Sequence, residues 1–229
     1  MTTEQKMITV RAWDAPVRIF HWLLILLLGF QVYSAKTGGQ AMLWHLYGGY
    51  AVLTLILFRL LWGFAGGTHA RFADFVAGPS AAWRFAKSLI SPRSAYFIGH
   101  NPLGGWMVLA MLASLALQAI TGLFANDDIA TEGPLAVLIS KKLSDQMTSL
   151  HHWNLWILAA LAVLHVVAVF YHRLVKKEDL IQAMFTGVKR LPEEVVAASG
   201  TPRKASPWVA LVVFAAANAA VFLLVKRPF

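Results

Sequence analysis

The chain has 229 residues, 58% of them hydrophobic and only 14% charged, with a formal net charge of +9 and no cysteine. An ordinary soluble domain carries about 25% charged residues, so the expected surface faces lipid, and the basic residues cluster beside apolar runs as in membrane-protein loops rather than over a nucleic-acid-binding face. Without cysteine, disulfides, iron–sulfur clusters and covalent haem attachment through thioethers are excluded.

A bilayer span needs about 20 mainly apolar residues, and five stretches qualify. A cytoplasmic tail, 1–16, precedes span one at 17–34. This run carries His21 and Gln31 and is read as a retained helix rather than a cleaved leader. Span two covers 44–64. The segment 65–102 mixes Phe72, Phe75, Trp83 and Phe85 with basic residues, which suggests an amphipathic stretch at the headgroups. Span three covers 103–125 and is entered through Asn101-Pro102, because proline fits a first helical turn. Residues 126–149 read as an acidic loop with Asp127, Asp128, Glu132 and Asp145. Span four covers 150–173, residues 174–206 read as a solvated, partly helical cytoplasmic linker, and span five covers 207–225 within a C-terminal segment 207–229. Backbone groups in lipid must pair within their own segment, so the spans are helices. The fold class expected is an all-α integral membrane protein, a four-helix bundle over 17–173 with a fifth, C-terminal span.

Lysine and arginine set the orientation. Lys6, Arg11, Arg18, Arg71, Arg84, Lys87, Arg93 and the basic residues of 173–204 fall on one side. Lys36, Lys141, Lys142, Lys226 and Arg227 fall on the other. The excess marks the cytoplasm, with the N-terminus inside. The basic C-terminus runs against that rule and makes span five its weakest element.

Eight histidines carry the chemistry: His21, His45, His69, His100, His151, His152, His165 and His172. Ionisable groups within spans are rare and usually functional. His21 lies near the inner end of span one, His45 opens span two on the outer side, and His151 and His152 open span four there. His165 follows His151 by 14 residues, about 21 Å along a helix, and returns to within about 40° of the same face. Thirteen residues from His152 end about 140° away, so His151 is the better ligand. The spans thus offer an outer pair, His45 and His151, and an inner pair, His21 and His165. Two facing imidazoles are what a non-covalent b-type haem needs, so two such haems, each with its iron between one pair, are expected. Gly29, Gly48, Gly49 and Gly122 are small residues that let a macrocycle approach, and span three, without histidine, packs without ligating. Arg18, one turn before His21, is placed to meet a haem propionate. His172, seven residues past His165, is a second candidate partner for His21 or a neighbour of a propionate or quinone. His100 is a further candidate cofactor contact. No catalytic residue is assigned.

At these positions the chain resembles a known family. Arg18-Ile19-Phe20-His21-Trp22, His45-Leu46-Tyr47-Gly48-Gly49, then His151, His165 and His172, together with Gly99-His100-Asn101-Pro102-Leu103-Gly104, are similar to the bacterial cytochrome b561 family, which includes the cytochrome b subunits of nickel–iron hydrogenases. The resemblance covers about 11–190. It implies a four-helix core with two bis-histidine b haems and electron exchange between the quinone pool and a redox partner. The fifth span departs from four-helix members. The segment 126–134 is similar to a subgroup associated with periplasmic c-type cytochromes, which makes such a cytochrome, or another redox subunit, the expected partner.

Two other functions compete. A free-standing oxidoreductase for superoxide or a similar small oxidant, passing electrons to quinone, shares the fold but calls for a positive outer funnel, and the outer loop is net negative. A histidine-lined metal transporter calls for carboxylates at mid-membrane, and no span has a central Asp or Glu.

Overall fold

The structure, a computed structural model, describes residues 6–89, 95–199 and 202–226. Arg93 and Arg227, used in the orientation argument, lie outside them. Among the described residues, five helices are long and apolar enough to cross a membrane: α1 Ala15–Thr37, α2 Ala41–Ala65, α5 Pro102–Phe124, α6 Lys141–Leu174 and α9 Pro207–Val225. The shorter elements are strand β1 Met7–Arg11, helices α3 Phe72–Phe75, α4 Pro79–Ser88 and α7 Leu180–Thr186, strand β2 Val188–Pro192, helix α8 Glu193–Ala198 and a single 3-10 turn at Ala136–Leu138. The chain is a multi-pass, mainly helical membrane protein.

Local chemistry explains the boundaries. Asp14 Oδ1 accepts the Val17 N–H at 2.9 Å and so caps α1, and Asn101 Oδ1 accepts the Gly104 N–H at 2.7 Å at the start of α5; both satisfy donors that a helix start leaves unpaired. Prolines occupy the first positions of α4, α5 and α9, where a missing N–H costs nothing. Gly38 and Gly39, at φ +65° and +55°, form the reversal between α1 and α2, a left-handed pair that residues with a Cβ rarely adopt.

Two compact units divide the chain. One comprises Met1–Ile19, Trp62–Leu109 and Val163–Ala210. In it, β1 pairs antiparallel with β2, from Met7 opposite Pro192 to Arg11 opposite Val188. These strands are an addition to the all-helical expectation. Residues 174–199 pack more than a solvated linker would, since Ala183 and Leu191 are fully buried and Lys189 is buried too. Within the same unit the Trp62 indole N–H donates to Asp14 Oδ2 at 3.1 Å. The segment 65–102 holds α3 and α4; α4 is amphipathic, burying Ala82 and Phe85 while Trp83 stays exposed.

The other unit comprises Phe20–Leu61, Ala110–Ala162 and Leu211–Phe229. Here α6 begins at Lys141, nine residues before the expected start of span four, so the acidic loop is shorter than the 126–149 expected. The early turns of α6 grip the end of α5. Ser144 Oγ donates to the Phe124 carbonyl at 2.7 Å, Asn126 Nδ2 donates to Ser144 Oγ and to Asp145, and the Asn126 N–H donates to Thr148 Oγ1 at 3.0 Å.

Candidate functional site

His45 and His151, the expected outer pair, come together. Their ring centroids are 6.2 Å apart and their planes cross at 79°. Two imidazoles bound to opposite sides of one metal ion would have centroids about 6 Å apart, given about 2.0 Å from metal to nitrogen and about 1.1 Å from nitrogen to ring centre. The spacing therefore fits a bis-imidazole iron.

Hydrogen bonds distinguish the two nitrogens of each ring. His45 Nδ1 lies 3.1 Å from the Gln31 carbonyl and 3.3 Å from Ser34 Oγ. His151 Nδ1 lies 2.9 Å from the Gln118 carbonyl and 3.2 Å from Thr121 Oγ1. A carbonyl only accepts, so each Nδ1 carries the proton and donates it. All the hydrogen bonds of both rings fall on Nδ1, which leaves Nε2 as the lone-pair nitrogen. Metal-ligating histidines are commonly oriented in this way. His152 is exposed, turned 60° from His151 at 6.4 Å, on a different face as the angular argument requires.

The surroundings supply most of what the sequence reading missed. Span three contributes no histidine, yet α5 provides both Nδ1 acceptors of His151. A buried network fixes α5 to α6: Asn154 Nδ2 donates to the Ser114 carbonyl at 2.9 Å and to Gln118 Oε1 at 2.7 Å, while Ser114 Oγ donates to Asn154 Oδ1 at 3.0 Å. On the other side, Gln31 Nε2 donates to the His45 carbonyl at 3.0 Å. The signal was present as Gln31 with Ser34 and Gln118 with Thr121, two polar pairs of the same spacing set in apolar runs. Arg59, only 3% exposed within α2, was also overlooked; it follows His45 by the same 14 residues that separate His165 from His151.

Three of the four glycines face protein, Gly49 with Gln31 Nε2 3.4 Å from its would-be Cβ. A Cβ on Gly122 would lie 3.1 Å from His151 Cε1, and one on Gly48 would lie 2.3 Å from Gln31 Oε1. Gly122 therefore admits the His151 ring itself. Gly29 has nothing within 4 Å of its would-be Cβ.

The other predicted residues are placed as follows. His21 lies in α1, in edge-on contact with Trp22 at 5.1 Å, and His165 lies in α6. Arg18 Nη1 donates to the Phe185 carbonyl at the end of α7. His100 sits between the rings of Trp13 and Phe75, at 4.5 and 4.6 Å, and with His69 lines a cleft of about 190 Å³ together with Asp74 and Tyr96. Burial lowers the pKa of His69 and favours its neutral form. Both ring nitrogens of His172 are engaged: Nδ1 with Glu178 Oε2 at 3.0 Å and Nε2 with the Asn101 amide at 3.3 Å. Glu178 also pairs with the buried Lys189 at 3.1 Å. Burial alone would raise the Glu178 pKa, but His172 and Lys189 together hold it below its ordinary value. Among the described residues, no group of three or more His, Asp or Glu forms a metal site.

In the acidic loop the charge is largely spent internally. Asp127 Oδ1 accepts the N–H groups of Ile129, Ala130 and Thr131 at 3.0, 2.9 and 2.8 Å. The bond from Thr131, followed by those from Ile129 and Ala130, lowers its pKa to about 2. Asp128 and Asp145 share the ammonium of Lys141.

Residues 12–187 match the family model described as prokaryotic cytochrome b561. Among curated proteins the chain is similar to three that are each named a probable Ni/Fe-hydrogenase B-type cytochrome subunit, one of them being hydrogenase 1 B-type. The relative from Azotobacter vinelandii is 27% identical, over 83% of this chain and 92% of its own. That from Rhizobium leguminosarum is 23% identical, over 78% and 88%, and that from Escherichia coli K12 is 22% identical, over 77% and 88%. No solved structure matches.

Proposed function

Because this chain belongs to the prokaryotic cytochrome b561 family, a family of membrane b-type cytochromes, we propose that it holds two haems and carries electrons across the bacterial inner membrane, between the quinone pool and a redox partner on the periplasmic face. The observation that carries this reading is the opposed pair His45 and His151, at the centroid spacing of a bis-imidazole iron and with both Nδ1 atoms anchored on carbonyls. Bound between them, a b-type haem supplies a one-electron couple. The chain's own part is to hold two imidazoles in one tautomer, keep them apart at a fixed distance, and shield them with apolar helix.

The second haem is assigned to His21 and His165, on the 14-residue spacing in α6 and the position of His21 about one turn into span one. Arg18 and the buried Arg59 are the cations proposed for propionates. His172, with both nitrogens engaged, is better suited to fixing the end of α6 than to binding iron. The cleft lined by His69 and His100 is the proposed place for a quinone head group, to whose carbonyl oxygens an imidazole N–H can donate.

The named relatives make a hydrogenase one candidate partner, and the resemblance of the segment 126–134 makes a periplasmic c-type cytochrome the other. With Asp127 bound by the loop's own backbone and Asp128 paired with Lys141, docking of a basic partner would rest on Glu132 and the net negative charge of the loop, which steer encounter more than they bind. Positive charge beside the spans supports a cytoplasmic N-terminus.

The test is a pyridine haemochrome assay on the purified, fully loaded protein. Two protohaems per chain are expected, and a ratio near one would remove the inner site.

A further inference from the structure

Each ligand ring meets two acceptors where one would fix its tautomer. Ser34 stands three residues after Gln31, and Thr121 three residues after Gln118. Each hydroxyl lies against the Nδ1 that the glutamine's backbone carbonyl also meets, at 3.3 and 3.2 Å. The hydroxyl protons are already committed. Ser34 Oγ donates to the Phe30 carbonyl at 2.9 Å, with Gln31 at 3.2 Å, and Thr121 Oγ1 donates to the Leu117 carbonyl at 2.7 Å, with Gln118 at 3.1 Å. Each oxygen therefore faces Nδ1 with a lone pair. Both residues are only 1% exposed, so water does not compete for the contact.

We infer that Ser34 and Thr121 are positioning residues that act through His45 and His151, holding the two imidazole planes crosswise and keeping the ligands electron-rich. The inference rests on the bis-imidazole reading of that pair. A single carbonyl acceptor lets a ring pivot about its N–H···O axis; a second acceptor beside it stops the pivot. With both rings gripped this way on separate helices, the planes stand at 79°. An acceptor at Nδ1–H gives the imidazole more imidazolate character, which stabilises ferric over ferrous iron and lowers the midpoint potential. Crossed ligand planes also leave the two iron d orbitals that overlap the ligand π systems nearly equal in energy, which gives a ferric haem a low-spin resonance with an unusually large g maximum. Parallel planes split those orbitals and give an ordinary rhombic spectrum. Back-bonding of Ser or Thr to its own helix is common and does not require a ligand ring. Here the same spacing places a hydroxyl on the ligand nitrogen twice, from two different helices.

The experiment uses the full chain in membranes with its haems loaded. Thr121→Val keeps the shape and removes the hydroxyl, Ser34→Ala does so on the other side, and Thr121→Ser restores it. Redox titration and electron paramagnetic resonance are read on the haem that His45→Ala removes, with the other haem in the same chain as reference. Thr121→Val and Ser34→Ala should each raise its midpoint potential and lower its g maximum, and Thr121→Ser should keep both at wild-type values. A packing role alone would lower haem loading or thermal stability while leaving the potential and g maximum of the loaded fraction unmoved, and that result overturns the inference. If His45→Ala and His151→Ala remove different haems, the pairing itself fails and the inference falls with it, an outcome separable from unmoved values in a correctly paired site.

Discussion

Replacing Glu178 by Gln tests the buried ion group beneath α6. The Lys189 side chain is 5% exposed and its ammonium has two acceptors, Glu178 Oε1 at 3.1 Å and the Phe97 carbonyl at 3.2 Å. Glutamine can still accept from Lys189 and donate to His172, so the substitution removes charge while leaving hydrogen bonds in place. At 3.1 Å two unit charges attract by about 5 kcal/mol at an effective dielectric near 20, and removing one partner of a buried pair costs roughly 3–5 kcal/mol because the other charge is stranded. At about 2–4 °C per kcal/mol for a chain of this size, Glu178→Gln should lower the unfolding midpoint in detergent by about 6–20 °C. Lys189→Met should cost less, since Glu178 keeps His172. The double variant should recover most of the loss, because neither charge remains to be stranded. The pH dependence carries its own sign. The Glu178 pKa is depressed in the folded state, so its contribution is present above the ordinary value of 4.5 and is lost as pH falls through the lower folded value. The gap between wild type and Glu178→Gln should therefore close below about pH 4.5. Circular dichroism melts of the four proteins at pH 7 and pH 4 measure this. Strictly additive single effects, or a gap that persists in acid, would refute the reasoning.

His45→Ala and His151→Ala should each abolish the same haem signal in reduced-minus-oxidised spectra, while the exposed His152→Ala retains both haems; two spectrally different losses would break the pairing. Gly122→Val should lower outer-haem occupancy several-fold, since a Cβ 3.1 Å from His151 Cε1 meets a ring pinned at Nδ1, and haem content after purification reads this directly. Asp127 has a depressed pKa, so the order it lends the 126–132 loop is present above 3.8 and lost as pH falls toward about 2; protease nicking or amide exchange in this loop should rise across that window, and Asp127→Asn should show the rise at pH 7. Asp128→Asn with Glu132→Gln should slow oxidation by a basic partner at low ionic strength and change little at high salt; a stopped-flow rate unchanged at low salt would leave the loop as a cover.

The five spans were legible because lipid demands an unbroken apolar run, and each expected span lies within a few residues of a helix, except at the start of α6. There the sequence from Lys141 to Ser149 looks like a loop because its polar residues serve Asn126 and the end of α5 rather than lipid. The approach of His45 to His151 was legible from depth, and the 14-residue face rule set His151 apart from the exposed His152. The acceptors were not. Gln31, Ser34, Gln118 and Thr121 act through backbone carbonyls and short hydroxyl reaches, and which carbonyl faces which ring depends on how helices pack. The role of Asp14, joined to Trp62, was hidden for the same reason: the partners are 48 residues apart. The β1–β2 ladder was hidden more deeply still, since Met7–Arg11 shows Ile, Thr and Val but nothing in it names Val188–Pro192.

That ladder has a consequence for synthesis. The chain emerges from the ribosome in order, at about 5–20 residues per second, and the residues that β1 must meet lie about 180 positions downstream. For roughly 10 to 35 s, then, β1 has an exposed hydrogen-bonding edge while four apolar helices enter the bilayer one after another. An unpaired edge is a template for foreign strands, and only the arrival of β2, after α6 is in place, can close it. Insertion of the spans and completion of the fold are therefore separate events, and a chain stalled or truncated before residue 188 would leave the membrane correctly threaded but the first unit open.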